Sequence, residues 1–359
     1  MEQFRVKGKK SVMLVAREFT TLAVTLGDAA GIGPEVALKA VSRDDWPDRL
    51  RLVLVGSREV LKREARQHRL PLPKAWNPRD ELPDGVRVVT WEPGPEDAGR
   101  GEPYEVIRLA DTPGRTSEAC GRAAAQWIRA AVAGCQAGWF DGLVTAPVCK
   151  KSLQLAGLPH PGHTEYLAAL AGVAKAAMMF VGGPLRVLLV TRHLPLAAIP
   201  AAVTPEAVEE TIRFANRAGG WLGLEQSRVG VCGLNPHAGE EGMLGDEETR
   251  VIKPVIERLG AEGLAVTGPI PGDLAFYQAL EGRFDIVVAM YHDQGLAPFK
   301  MLAFDVGVNL TLGLPFVRTS PDHGTAFDLA GRGVAVPSSM AAAIRLAHEL
   351  AERPNPWRS

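Results

Sequence analysis

The segment DIVVAMYHDQGLAPFK, residues 285–300, joins an apolar run to a row of polar residues. Its first part is short and rich in β-branched residues, which predicts a buried strand. The polar residues Tyr291, His292 and Asp293 follow at once, and Lys300 comes after a glycine and a proline. Polar groups at the end of a buried strand need partners, because burying them unpaired is costly. The segment therefore predicts a strand that delivers functional side chains to the edge of a sheet.

Other parts of the chain repeat this alternation of strand and helix. Short apolar runs predict strands at 21–27, 50–56, 142–148, 185–191 and 228–234. Longer stretches with helical spacing lie between or beyond them, at 33–43, 57–69, 117–138, 205–218, 246–262 and 338–352. Strands that alternate with helices predict an α/β fold with mostly parallel pairing. A length of 359 residues favours two domains, or one large domain with an insertion.

Composition excludes several classes of protein. Apolar residues make up 46% of the chain, charged residues 23%, and the net charge is −1, so no overall field attracts nucleic acid or an anionic membrane. The most apolar region, 167–190, is interrupted by Lys175 and Arg186 and does not predict a membrane span. Four cysteines without a Cys-x-x-Cys pair favour a reducing, cytoplasmic location. Residues 1–20 lack a signal-peptide core and are interpreted as a loose extension.

Three histidines each follow a predicted strand: His193, His237 and His292. Ligands of open α/β sheets bind at the carboxyl ends of the strands, so these imidazoles could converge on one point. Three neutral imidazoles with positions left open form a divalent metal site of the catalytic type. Nearby acidic residues could orient the imidazoles: Asp273, Asp293 and Glu240. The alternative is that each histidine only caps a strand or hydrogen-bonds a loop.

Two cations, Lys300 and Arg318, lie in Gly/Pro-rich segments that we interpret as loops. Arginine binds carboxylate or phosphate through two hydrogen bonds, and lysine acts as a point charge. Together with His163, Thr164 and Asn309 they could bind a phosphorylated, carboxylated substrate, unless they are ordinary surface charges. The glycine-rich segment 27–35 has neither the G-x-G-x-x-G nor the P-loop spacing, so it gives little support for a dinucleotide-binding loop, and Asp28 with the glycines could instead form a tight turn beside the active site.

Many segments together resemble the 4-hydroxythreonine-4-phosphate dehydrogenase family of vitamin B6 biosynthesis. They follow the family order from residue 21 to about 345, and they are TLGDAAGIGPE, VTAPVCK, GHTEYLA, TRHLPL, GLNPHAGEEGMLGDEE, GPIPGDLAF, MYHDQGLAPFK and GVNLTLGLPFVRTSPDHGTAFDLAGRG. The resemblance implies two α/β domains around a cleft, as in isocitrate and isopropylmalate dehydrogenases. Residues 21–145 plus 305–359 would form the NAD side. Residues 146–304 would form the metal, substrate and dimer side, in a homodimer with its active site at the interface.

The resemblance also assigns site residues. The implied ligands of one divalent ion per site (zinc, magnesium, cobalt, manganese or nickel) are His193, His237 and His292. The implied substrate-binding residues are His163, Thr164, Lys300, Asn309 and Arg318. The implied catalytic residues are Lys300 or Asp293, which would transfer a proton, and Asp273. The loop implied to bind the adenosine half of NAD contains Asp322, His323, Gly324 and Thr325.

The implied reaction is NAD- and metal-dependent oxidation of 4-phosphohydroxy-L-threonine, with decarboxylation to 3-amino-2-oxopropyl phosphate. Two positions depart from the family pattern: TAPV replaces TGPV, and Arg192 stands where threonine is frequent. Paralogous dehydrogenases of D-threonate or D-erythronate 4-phosphate, or of other hydroxy acids, are therefore the alternative. A non-catalytic metal-binding protein of the same fold would be expected to lack a ligand or substrate-binding residue, and none is missing.

Overall fold

A computed structural model describes residues 18–82, 85–97, 113–158 and 162–358. The extension predicted for 1–20 falls almost entirely outside these ranges. Within them the strands are β1 Thr20–Thr25, β2 Leu50–Val55, β3 Lys74–Ala75, β4 Val88–Trp91, β5 Gly142–Thr145, β6 Ala177–Gly182, β7 Leu185–Leu189, β8 Val229–Cys232, β9 Val266–Ile270, β10 Ile286–Ala289, β11 Val308–Leu312 and β12 Val317–Pro321.

Helices separate most of these strands. They are α1 Gly33–Val41, α2 Arg58–His68, α3 Glu118–Gln136, α4 Lys150–Leu155, α5 His163–Ala171, α6 Ile199–Ala202, α7 Pro205–Trp221, α8 Lys253–Ala261, α9 Gly272–Leu280, α10 His292–Ala303 and α11 Ser338–Ala351. One turn of π-helix, Glu248–Ile252, precedes α8, so the helix predicted at 246–262 is not uniformly α-helical.

All the strands belong to one sheet, in the order β3-β4-β2-β1-β5-β12-β11-β6-β7-β10-β8-β9. Its pairs are parallel except in the middle, where β12, β11, β6 and β7 are antiparallel neighbours. The α/β fold with mostly parallel pairing is therefore confirmed. The three antiparallel pairs reverse the strand direction, so the carboxyl ends of β1, β2, β4, β5 and β12 lie at one edge of the sheet and those of β7, β8, β9 and β10 lie at the opposite edge. Side chains that follow the strands of one set can converge on a ligand.

The two sequence segments predicted as domains occupy the two sides of this sheet. Strands from 21–145 and 305–359 run from β3 to β11, and those from 146–304 run from β6 to β9. The sides meet where β11 pairs with β6, for example Asn309 with Phe180. Because the sheet continues across this line, the division into two domains stays a prediction.

Helix α10 is the largest departure from the sequence prediction. Gly295 and Pro298 suggested a loop, yet the helix continues to Ala303 and carries Lys300 in its last turn. Its buried face, which includes Phe299, packs on the sheet, with 5.9 Å between the ring centroids of Phe180 and Phe299. This burial offsets the backbone hydrogen bond that a proline removes from a helix. Arg318, also predicted in a loop, is instead on the buried strand β12.

Close packing of α3 on α4 positions the loop after β5, and it gives a testable prediction. A Cβ at Gly121 would lie 1.9 Å from the carbonyl oxygen of Ser152. Alanine normally favours a helix over glycine by about 1 kcal/mol. Here the backbone clash outweighs that gain, so Gly121→Ala is expected to lower the free energy of unfolding by about 1–2 kcal/mol.

Gly260 in α8 is the matched control, because its added Cβ would meet nothing within 4 Å. Gly260→Ala is expected to raise stability by about 0.5–1 kcal/mol in the same denaturant titration. Equal stability of the two variants would contradict the clash.

Candidate active site

A cavity of about 300 Å³ lies at the ends of β5, β11 and β12, beside the first turns of α4 and α5. It brings together seven residues predicted from the sequence: His163, Thr164, His193, Asn309, Arg318, His323 and Gly324. Other residues of its wall, which the sequence did not single out, include Thr145, Lys150, Glu165, Met178 and Ser320. Most of the predicted substrate-binding residues therefore share one cavity.

Arg318 is the best-buried charge of this cavity, with 2% of its surface exposed. Its guanidinium donates to the hydroxyl of Thr145 at 2.6 Å and to that of Thr311 at 2.8 Å. A third contact joins Nη2 to Nδ1 of His163 at 3.2 Å. Burial lowers the pKa of Arg318 to about 9, so the group stays cationic at neutral pH. Among the described residues, no carboxylate lies within 4.0 Å of it, and the charge is left for a ligand.

The His163 ring is held in one tautomer by this contact. A guanidinium only donates, so Nδ1 of His163 must accept and Nε2 must carry the proton. Burial, together with the charge of Arg318, holds the pKa of His163 well below its usual range, so the ring is neutral. Its Nε2 is buried without a partner, and so is Oδ1 of Asn309, whose Nδ2 contacts only the sulfur of Met178 at 3.3 Å. Two unpaired polar atoms in a polar cavity indicate a ligand that hydrogen-bonds them.

Lys300 lies near the predicted cofactor loop. Its Nζ is 3.7 Å from Oδ2 of Asp322. Burial raises the pKa of Asp322, and the charges of Lys300 and His323 oppose that shift. His323 and Gly324 line the cavity, whereas the carbonyl oxygen of Thr325 accepts from the backbone of Ile32 at 3.0 Å. Asp322 therefore faces the lysine, and Thr325 anchors the loop to the segment after β1.

Two of the three predicted metal ligands are neighbours. The ring centroids of His193 and His292 are 5.5 Å apart. Nδ1 of His292 contacts Oδ1 of Asp293 at 2.7 Å, which leaves Nε2 available to an ion, as in the carboxylate–histidine pairs of metal sites. Burial lowers the pKa of His193, and the nearby charge of Lys150 lowers it further. The His292 ring is thus oriented as metal ligation requires, and the lowered pKa of His193 favours the neutral form that binds a metal ion.

His237 lies in a left-handed turn. Residues 237–241 all have positive φ, from 42° to 79°. The buried Glu248 holds the start of this turn, because it accepts from the backbone of Leu234 and of Asn235, both at 2.7 Å. The three histidines do not meet as one ligand set in this structure, since their ligand atoms are not all within 4.8 Å of one another. Asp273 is exposed in the first turn of α9.

Among the described residues, the ligand atoms of another group do lie within 4.8 Å of one another: those of Glu35, Glu64 and His68. Lys39 bonds Glu35 at 2.7 Å, and Arg63 bonds Glu64 at 2.9 Å, so two cations already balance the two carboxylates. Lys39 also donates to the carbonyl oxygens of residues 333 and 335. We interpret the group as a network that fastens the segment after the predicted cofactor loop to α1 and α2.

Lys150, Thr145 and Glu165 are site residues that sequence reasoning missed. Thr145 ends β5, and Lys150 starts α4 five residues later. The signal was present, because polar residues directly after a predicted strand had already located the histidines. Outside the site, no helix within the described ranges has the length and apolar content that a membrane span requires.

The chain is similar to several known proteins. The family model "Pyridoxal phosphate biosynthetic protein PdxA" matches residues 48–347. A 4-hydroxythreonine-4-phosphate dehydrogenase of Aromatoleum aromaticum is 46% identical over 327 residues, which cover 91% of this chain and 95% of the relative. The crystal structure of such an enzyme from Klebsiella pneumoniae is 38% identical, has a TM-score of 0.79, and covers 93% of this chain and 99% of its own. A terephthalate 1,2-cis-dihydrodioldehydrogenase from Burkholderia xenovorans is 29% identical, with a TM-score of 0.60, and covers 92% of this chain and 98% of its own.

Proposed function

Because the chain belongs to the PdxA family of pyridoxal phosphate biosynthesis, we propose that it is a 4-hydroxythreonine-4-phosphate dehydrogenase. The proposed reaction oxidises the hydroxyl carbon of 4-phosphohydroxy-L-threonine, with NAD as acceptor, and releases carbon dioxide to leave 3-amino-2-oxopropyl phosphate. The observation that supports it best is the buried Arg318, a cation without a carboxylate partner among the described residues. Such a charge is costly to bury unless a ligand pairs with it, and this substrate carries two anionic groups.

Each cavity residue has a place in this proposal. Arg318 binds an anionic oxygen of the substrate, and the Nε2 proton of His163 donates to a second oxygen. Lys300 is the candidate for proton transfer. Asp293, the competing candidate, is engaged with His292 and is better placed to orient that ring. The exposed Asp273 is retained as a catalytic residue only on the strength of the resemblance.

Two groups would complete the site. A divalent ion would be held by His193, His237 and His292, and NAD would contact the loop that begins at Asp322. The free Nε2 of His292 beside the His193 ring fits an ion, whereas His237 must approach from its left-handed turn. When bound, the ion supplies a Lewis acid and NAD supplies the hydride acceptor.

A homodimer is supported by exposed apolar side chains. Eleven large ones lie between residues 194 and 306: Leu194, Leu196, Met243, Leu244, Leu274, Tyr277, Leu280, Met301, Leu302, Phe304 and Val306. Only three others are exposed in the rest of the described chain: Leu155, Val334 and Val336. The exposed apolar side chains are thus concentrated in one stretch of the sequence, and exposed apolar surface is a candidate interface. The Asp293 side chain is 83% exposed in the single chain, so a second subunit on this surface would also shield the metal side of the site.

The proposal is tested by assaying the purified protein with NAD, a divalent metal and 4-phosphohydroxy-L-threonine. NADH should form, and the product should be 3-amino-2-oxopropyl phosphate. D-Threonate and D-erythronate 4-phosphates are the comparison substrates, because Arg192 departs from the family pattern beside His193. A dominant rate with either of them would replace the proposal by the paralogous activity. No NADH from any phosphorylated hydroxy acid would refute the dehydrogenase.

A further inference from the structure

We propose that Lys150 is a substrate-binding residue whose ammonium group contacts an anionic oxygen of the substrate. The inference rests on the proposed function, because it assigns the ligand of Lys150 to the substrate of that reaction. Lys150 is the first residue of α4 and follows the loop after β5. It lines the cavity together with His163 and Arg318.

Lys150 also lies on the metal side of the cavity. Its charge is among those that act on His193, which lines the same cavity. Its Cε is 3.7 Å from the point that a Cβ of Gly162 would occupy, so it sits against the turn that begins α5 and carries His163. Lys150 is therefore placed between the residues that surround Arg318 and the predicted metal ligands, where the middle or far end of an extended substrate would lie.

The charges around Lys150 leave it without a partner in the part of the chain that the structure describes. The cavity-lining carboxylate of Glu165 is 3.8 Å from Nη2 of Arg192, the nearest approach of a cation to it. No carboxylate of the described residues lies within 4.0 Å of Lys150 itself. A cation in the first turn of a helix also meets the positive end of the helix dipole. Lys150 is exposed in the single chain, so water solvates its ammonium group, and an anionic ligand would relieve the unfavourable position at the helix terminus.

The substrate offers two groups with this chemistry, a phosphate and a carboxylate. Each is an anionic oxygen acceptor for a lysine ammonium, which acts as a point charge without a fixed geometry. Arg318 can hold only one of them, because its guanidinium is fixed by three side chains. We therefore assign to Lys150 whichever of the phosphate and the carboxylate Arg318 does not bind. If Arg318 and Lys150 both contact the phosphate, Lys150 binds a second oxygen of it.

The test compares Lys150→Met, Lys150→Arg and Lys151→Met. Methionine keeps the apolar stem and removes the charge, whereas Lys151 is an exposed neighbour that does not line the cavity. Loss of one charged hydrogen bond in Lys150→Met should raise KM for 4-phosphohydroxy-L-threonine about 10–100-fold, with kcat within about threefold. Lys150→Arg should recover most of that loss, and Lys151→Met should match the wild type.

Calorimetric titration with inorganic phosphate, and separately with malonate, identifies the bound group without turnover. If Lys150→Met weakens the binding of phosphate but not of malonate, Lys150 contacts the phosphate of the substrate. If it weakens the binding of malonate but not of phosphate, Lys150 contacts the carboxylate. Unchanged KM with unchanged binding of both probes overturns the inference, and so does a fall in kcat at constant KM. If the wild type binds phosphate through Lys150 but oxidises none of the substrates, the proposed reaction fails while the anion contact stands.

Discussion

Arg318→Met is expected to lower kcat/KM for 4-phosphohydroxy-L-threonine about 10²–10³-fold without a matching loss of stability. Truncating one partner of a buried charge pair costs about 3–4 kcal/mol of binding, which corresponds to that factor. Most of the effect should appear in KM, because the anion contact exists before the reaction begins. Arg318→Lys should recover little, since an ammonium cannot reproduce the contacts to Thr145, Thr311 and His163.

The stability measurement separates a binding role from a structural one. The folded protein without ligand bears the desolvation cost of a guanidinium that, among the described residues, is bonded only to neutral groups. Arg318→Met removes this desolvation cost, and the gain offsets the loss of the hydrogen bonds to the two threonines. The free energy of unfolding should therefore stay within about 1 kcal/mol of the wild type. Arg345→Met, at a surface pair with Asp45, is the control for kcat/KM. A loss of more than about 2 kcal/mol in Arg318→Met would show that Arg318 is structural.

His292→Ala is expected to release the divalent ion and to reduce turnover by about 10³-fold. A Lewis acid stabilises developing charge by several kcal/mol, and this variant removes one of its ligands. His237→Ala should behave in the same way. Asp293→Asn should weaken metal binding about 10–100-fold, because its oxygen orients the His292 ring from 2.7 Å. Metal content and turnover are measured on the same purified samples.

Asp305→Asn is the control, since Asp305 is another exposed carboxylate just beyond α10. Full activity of His237→Ala would refute the three-histidine site. A full complement of metal in His292→Ala would show that His292 is not a ligand of the ion. Either result would require a different role for the strand-end histidines.

The strands of this fold could be predicted because burial leaves a local pattern. The runs at 142–148 and 285–291 contain the observed strands β5 and β10, and the run at 21–27 overlaps β1 except for its first residue. Polar residues after strands also located His193 and the neighbouring His292, which follow the parallel strands β7 and β10. Arg318 and Asn309 share one cavity because their strands β12 and β11 are paired neighbours, and His163 joins them through its contact with Arg318.

What could not be predicted depends on contacts distant in sequence. Lys300 was assigned to a loop because Gly295 and Pro298 disfavour a helix, but the packing of Phe299 overrides that local preference. The left-handed turn that carries His237 is held by Glu248, which a local pattern does not reveal. Lys150 was overlooked because its importance depends on which charges surround it in space.

Arg318 is held by two threonines on the neighbouring strands of the sheet, and this has a consequence for how the family can acquire new substrates. Thr145, Arg318 and Thr311 stand on adjacent strands, β5, β12 and β11, in the middle of one continuous sheet. In its proposed role as an anion receptor, Arg318 would be preorganised and could not follow a substrate that is a few atoms longer or shorter. We therefore expect that selection between hydroxy acids that share a charged end acts at the edge of the cavity, on helix and loop residues such as Lys150 and Arg192. New substrates can then be acquired at that edge while the receptor in the sheet stays unchanged.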